Sequence, residues 1–129
     1  MVTADILQGI EEIKIAFPEC AVNIAEDGSG GAYVKVDGVF IGTSYAPEST
    51  WIGFHMDFSY PDSVVYPHFM DSSVHRVDEL MFQPPTPITM TTWRDISAWQ
   101  ISRAQRSWDR NVDTAAGKLR KVVEWLRII

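Results

Sequence analysis

Residues 51–61 read Trp51-Ile52-Gly53-Phe54-His55-Met56-Asp57-Phe58-Ser59-Tyr60-Pro61, and six residues further on comes Pro67-His68-Phe69. Ile52, Phe54, Met56 and Phe58 recur with a period of two, the mark of a strand with one face against a core. A proline then ends the run, because it has no N–H for a ladder. Working backward, residues 43–50 read as a loop. Tyr33-Val34-Lys35-Val36 and Val39-Phe40-Ile41 form a strand with Asp37-Gly38 as a turn or bulge, and Ala21–Ala25 pairs with it across the glycine-rich turn 27–31. Before these strands, Ile6, Ile10, Ile13 and Phe17 fall at helical spacing, with Leu7 widening the stripe. Thr3 caps this helix and Pro18 stops it. A helix followed by an antiparallel meander is α+β logic.

Forward of the strand, Pro61, Pro67, Pro84, Pro85 and Pro87 make long regular elements unfavourable, so residues 59–87 read as an irregular wrap. Ile88–Trp93 reads as a short strand. Residues 94–110 are polar, basic and aromatic with little periodicity, and read as irregular. The chain closes with a helix capped by Asp113, its buried stripe formed by Ala115, Leu119, Val122, Leu126 and Ile129.

The 129 residues suit a single domain spanning 1–129. No apolar run reaches the ~18 residues of a membrane span, and no basic region precedes an apolar stretch at the N-terminus. A cytoplasmic protein that enters no membrane is the expectation. A lone cysteine, Cys20, provides neither a disulfide nor a thiolate zinc cage, and the scattered His55, His68 and His75 do not have metal-ligand spacing. No cofactor or metal is expected. The net charge of −6 is uneven: residues 1–90 hold 3 Lys/Arg against 13 Asp/Glu, residues 91–129 hold 8 against 4. This split suggests two faces for two partners. A pI near 4.9 argues against nucleic acid, although Arg94, Arg103, Arg106 and Arg110 interleave with Trp93, Trp99 and Trp108.

The Tyr60-Pro61 turn after an apolar strand, the proline-rich stretch, Trp99-Gln100-Ile101-Ser102-Arg103, Trp108 and the closing helix opened by Asp113 together resemble the ubiquitin-conjugating enzyme superfamily. The pattern is similar to its divergent prokaryotic branch over roughly residues 3–128. The resemblance implies an N-terminal helix, an antiparallel four-strand meander, irregular proline-rich and catalytic segments, and a C-terminal helix. It also implies acyl transfer in a bacterial pathway, with a ubiquitin-like protein and its activating enzyme as partners. Two departures stand out. No cysteine lies shortly before Trp108, Cys20 standing far upstream after the first helix, and the His-Pro-Asn triplet is absent, the nearest segment being Val74-His75-Arg76-Val77-Asp78.

Ser102 occupies the region of the missing nucleophile and would carry the modifier as an oxyester; Ser97 and Ser107 fit that position less well. A serine hydroxyl needs a base within ~3 Å. His75 is the base by residue type, and Asp95 is a second base or an orienting group. Arg103 and Arg106 would polarise the acyl carbonyl or steer an acidic partner. Two other readings stand beside this one: an inactive conjugating-enzyme variant that binds the modifier or a partner enzyme, and an unrelated α+β binding module. Tyr60, Pro61, Pro67, Trp99 and Trp108 are expected to be structural, His55 exposed, His68 packed against the proline-rich wrap, and Cys20 a small, at least half-buried residue.

Overall fold

In the computed structural model the chain runs α1 (Ala4–Ala16), β1 (Ala21–Glu26), β2 (Ala32–Phe40), β3 (Tyr45–Ala46), β4 (Ser49–Met56), β5 (His68–Asp71), β6 (His75–Arg76), β7 (Ile88–Trp93), β8 (Ile96–Ile101) and α2 (Ala115–Ile128). The structure describes residues 1–78, 82, 87–102 and 107–129. The fold is α+β, with a helix at each end and an antiparallel sheet between them. The sheet has the order β1-β2-β4-β5-β8-β7, and β3 pairs separately with β6.

The local reasons match the sequence pattern. The Thr3 hydroxyl accepts the Ile6 N–H at 3.3 Å and opens α1, and Phe17 closes it one residue before Pro18. The Val36/Val39 register shift bends β2 around Asp37-Gly38, where Gly38 has a φ of 77°. Val34, Val36, Ile52, Phe54, Met56, Met70 and Ile101 share one face of the sheet. They are buried there against Ile6, Ile10 and Ile13 of α1 and Leu119, Val122 and Leu126 of α2.

The Tyr60-Pro61 turn ties these layers together. The Tyr60 hydroxyl accepts the N–H of Ala115, the first residue of α2, at 3.0 Å. Its ring lies on Gly9 of α1, where any Cβ would collide with Tyr60 and Met56. The Trp108 indole donates to the Pro61 carbonyl at 2.7 Å, and Arg110 pairs with Asp62. Tyr60, Pro61 and Trp108 therefore hold the structural roles expected of them.

Several expectations change. The sheet has six strands, because the β7–β8 hairpin extends the four-strand run β1-β2-β4-β5 along the free side of β5. Residues 96–101, read as irregular, form β8. Ala98 and Ile101 point to opposite faces and are both fully buried, so no polar/apolar alternation marks the strand. Residues 43–50 contain β3 and the start of β4. Phe58 lies past the end of β4 and is 65% exposed. The cap of α2 is Thr114, whose hydroxyl accepts the Gly117 N–H, while Asp113 accepts the Asp109 N–H.

The hairpin does more than add an edge. Arg94 and Asp95 both have positive φ, 51° and 69°, as a two-residue type I′ turn requires. The sheet coils so that this turn arches over its helix-free face: Trp93 stacks on Trp51 and Phe69 at 5.6 and 5.4 Å, and the Arg94 guanidinium sits 4.5 Å above the Tyr33 ring of β2. Gly53 makes the approach possible, because a Cβ there would enter the Trp93 indole.

Candidate functional site

Ser102 follows β8 directly and is half-buried. Its N–H donates to the Pro87 carbonyl at 2.7 Å, and its hydroxyl oxygen accepts from the Gln100 side-chain amide at 3.1 Å. An amide cannot take the proton of an attacking hydroxyl, so this contact positions Ser102 without activating it.

The strand register places the expected bases elsewhere. Ala98 pairs with Asp71 in the β5–β8 ladder, and β6, which carries His75, follows Asp71 beyond that end of the sheet. Ser102 lies four residues from Ala98 in the other direction, about 13 Å at the rise of a strand. His75 itself is exposed, lies opposite Ala46, and its Nδ1 donates to the Ser73 carbonyl at 3.1 Å. Asp95 sits in the β7–β8 turn, seven residues from Ser102, about 23 Å along the strand. Ser102, His75 and Asp95 are therefore not brought together. Arg103 and Arg106 lie outside the described residues. Ser97 is exposed on β8 near the turn. Cys20 is half-buried, with its thiol 3.4 Å from the Gly38 carbonyl; burial pushes its pKa up, aided by Glu19, which disfavours the reactive thiolate.

The side chains that do converge lie on the helix-free face. His55 Nε2 donates to Asp27 at 2.7 Å, and the other oxygen of Asp27 accepts the N–H groups of Ser29 and Gly31 at 2.7 and 2.9 Å. The His55 hydrogen bond, followed by that from Ser29, holds the Asp27 carboxyl below its usual range. The His55 ring stacks on Tyr33 at 4.7 Å, and Trp93 meets Tyr33 edge-on at 6.5 Å. Lys35 lies 5.0 Å over Trp51, whose indole N–H donates to Asp71 at 3.2 Å. Hydrogen bonds from Ser73 lower the Asp71 pKa. A carboxylate–imidazole pair can shuttle a proton, but no hydroxyl or thiol bonds to His55 among the described residues. This face is an aromatic second core in which each exposed ring already has a cation or a ring against it. The odd positions of β4, Trp51-x-Gly53-x-His55, are the sequence signal for it, hidden behind the stronger even positions.

His68 lies in the main core, 1% exposed, its ring 5.0 Å from Phe54, and among the described residues its Nε2 has no hydrogen-bond partner. Burial, reinforced by the nearby Lys118 ammonium, lowers its pKa to about 3. The imidazole is neutral and shut off from solvent.

Among the described residues no group of three or more His, Cys, Asp and Glu is placed to hold a metal ion, and no helix is long and apolar enough to cross a membrane. Comparison with protein-family models, with curated proteins and with solved structures finds no match.

Proposed function

We propose that the chain is a conjugating-enzyme-like domain that has lost acyl transfer and acts as a docking module for a ubiquitin-like protein or for a partner enzyme of its pathway. Support for the conjugating-enzyme-like part comes from the element order. The run β1-β2-β4-β5 is a four-strand meander, both terminal helices cover one face of it, and the Tyr60-Pro61 turn locks α2 in place. The β7–β8 hairpin is a departure from that plan. The class of partner rests on the sequence resemblance.

The observation that carries the non-catalytic reading is the surroundings of Ser102. Its hydroxyl contacts the Gln100 amide, while His75 and Asp95 lie a strand's length away. Among the described residues no base bonds to this hydroxyl, and a hydroxyl without a base is a weak nucleophile at neutral pH whose oxyester would form and discharge slowly.

The test combines the protein with a ubiquitin-like modifier, its activating enzyme and ATP, and follows binding by calorimetry and adducts by mass spectrometry. The expected outcome is reversible binding with no covalent adduct, unchanged in Ser102→Ala. A thiol-resistant, hydroxylamine-sensitive adduct that disappears in Ser102→Ala would restore the serine carrier. Absence of binding to modifier, activating enzyme and conjugating enzyme alike would remove the docking role.

A further inference from the structure

β1 ends the sheet, with β2 as its neighbour. The phase of their ladder fixes which backbone groups face outward. The Asp27 N–H donates to the Gly31 carbonyl at 3.1 Å, so these two residues continue the β1–β2 register as a hydrogen-bonded pair. Bonded and non-bonded pairs alternate along an antiparallel ladder. Ala21, Asn23 and Ala25 therefore bond to β2, while Val22, Ile24 and Glu26 turn their N–H and C=O groups outward. Among the described residues no backbone bond reaches those groups. The usual guards of a free edge are missing: β1 pairs without a bulge over Ala21–Glu26 and contains neither proline nor lysine. Its single charge, Glu26, is held by the N-terminal amine at 3.0 Å.

The surroundings define what would pair there. Val22 and Ile24 lie opposite Val36 and Val34, on the helix side of the sheet, and Ile24 is 45% exposed. Leu7 stands about 200° round α1 from Gly9, which meets Tyr60 on the α2 side. Leu7, 49% exposed, thus lies on the flank of α1 turned away from α2, and α1 packs on β1. The start of β1 is acidic. Burial first, and then the charges of Glu19 and Asp37, raise the Cys20 pKa, so both carboxylates lie beside that end. Neither carboxylate has a cation against it among the described residues.

We propose that this edge binds an extended peptide segment of a partner protein as an added antiparallel strand. Its alternate side chains are apolar, beside Val22 and Ile24, and its C-terminal end is basic, beside Glu19 and Asp37. Backbone bonds supply the affinity and the apolar and basic positions the selectivity. A second copy of the chain fits less well. With Ile24 on the two-fold axis, each Glu26 falls opposite Val22 of the other copy, next to Glu19 and Asp37, where like charges meet.

The probe is a synthetic peptide that alternates threonine with valine and ends in two lysines. Its binding is followed by fluorescence anisotropy and by amide hydrogen exchange of the full chain. Exchange should slow at Val22, Ile24 and Glu26, whose N–H groups are free, and change little at Asn23 and Ala25. Methylating the valine nitrogens of the peptide removes the donors and should weaken binding at least about tenfold. Ending the peptide in two glutamates should weaken it similarly. Ile24→Pro removes an outward N–H and leaves the β1–β2 ladder intact, so the folded variant should lose the peptide. The methylated peptide asks the same question of an unaltered protein. Unchanged exchange at Val22, Ile24 and Glu26 at millimolar peptide would overturn the proposal, as would binding indifferent to methylation or to the sign of the peptide's end. So would protection of these amides by dimerisation without peptide. No ubiquitin-like protein enters the experiment, so the edge site stands or falls separately from the docking role.

Discussion

Replacing His68 by leucine, which has similar volume and no proton to bind, should abolish most of the pH dependence of stability between pH 7 and 5. In the folded chain His68 is held neutral, with a pKa lowered from 6.5 to about 3 by burial first and the Lys118 charge second. In the unfolded chain it titrates normally. Below pH 6.5 the unfolded state binds a proton that the folded state refuses, so stability falls as pH falls. The slope approaches about 1.4 kcal/mol per pH unit, and integration from pH 7 to 5 gives a loss of about 2 kcal/mol. For a chain of this size that corresponds to a melting temperature lower by roughly 6–10 °C. Asp27 and Asp71 act in a different window. Their lowered pKa values contribute stability that is present above 3.8 and lost as pH falls below it. The measurement is urea unfolding at pH 7, 6 and 5. Wild type should lose about 2 kcal/mol of stability at constant m-value, while His68→Leu should be nearly flat. At pH 7 the variant should equal or exceed wild type, because it removes an Nε2 that has no partner among the described residues. A wild type as stable at pH 5 as at pH 7, or a variant with the same slope, would refute the reasoning.

Gly53→Ala should cost about 1–3 kcal/mol, because the new methyl enters the space of the Trp93 indole and lifts the hairpin from the sheet. Its near-UV circular dichroism should weaken, and a spectrum identical to wild type would mean that the indole is not seated there. Tyr60→Phe keeps the ring on Gly9 but removes the acceptor for the buried Ala115 N–H, so thermal unfolding should report a loss of about 1–3 kcal/mol.

The parts of the fold that are legible in the sequence are those with one wet face. Ile6-Ile10-Ile13, Leu119-Val122-Leu126 and Ile52-Phe54-Met56 each bury one side and expose the other, so period and partner face can both be read. β5 has four residues and follows Pro67, too short for a periodic signal. β8 is covered on both faces, which erases the alternation. His68 was invisible as a core residue because nothing in a histidine's local sequence announces that a helix will cover it. The candidate site was legible only as a list of residue types. Whether Ser102 meets His75 depends on the β5–β8 register, a non-local property that places them at opposite ends of the sheet.

That register also changes the meaning of the basic C-terminal third. Taken along the chain, its charges suggest a face for an acidic partner. In the fold many of them are already engaged: Arg94 lies over Tyr33, Arg110 pairs with Asp62, Lys121 with Asp113, and Arg127 with the Phe40 carbonyl. Three of these four reach side chains or backbone of the first 90 residues. The positive segment therefore neutralises part of the acidic segment and fastens the hairpin, the Tyr-Pro turn and α2 to the meander.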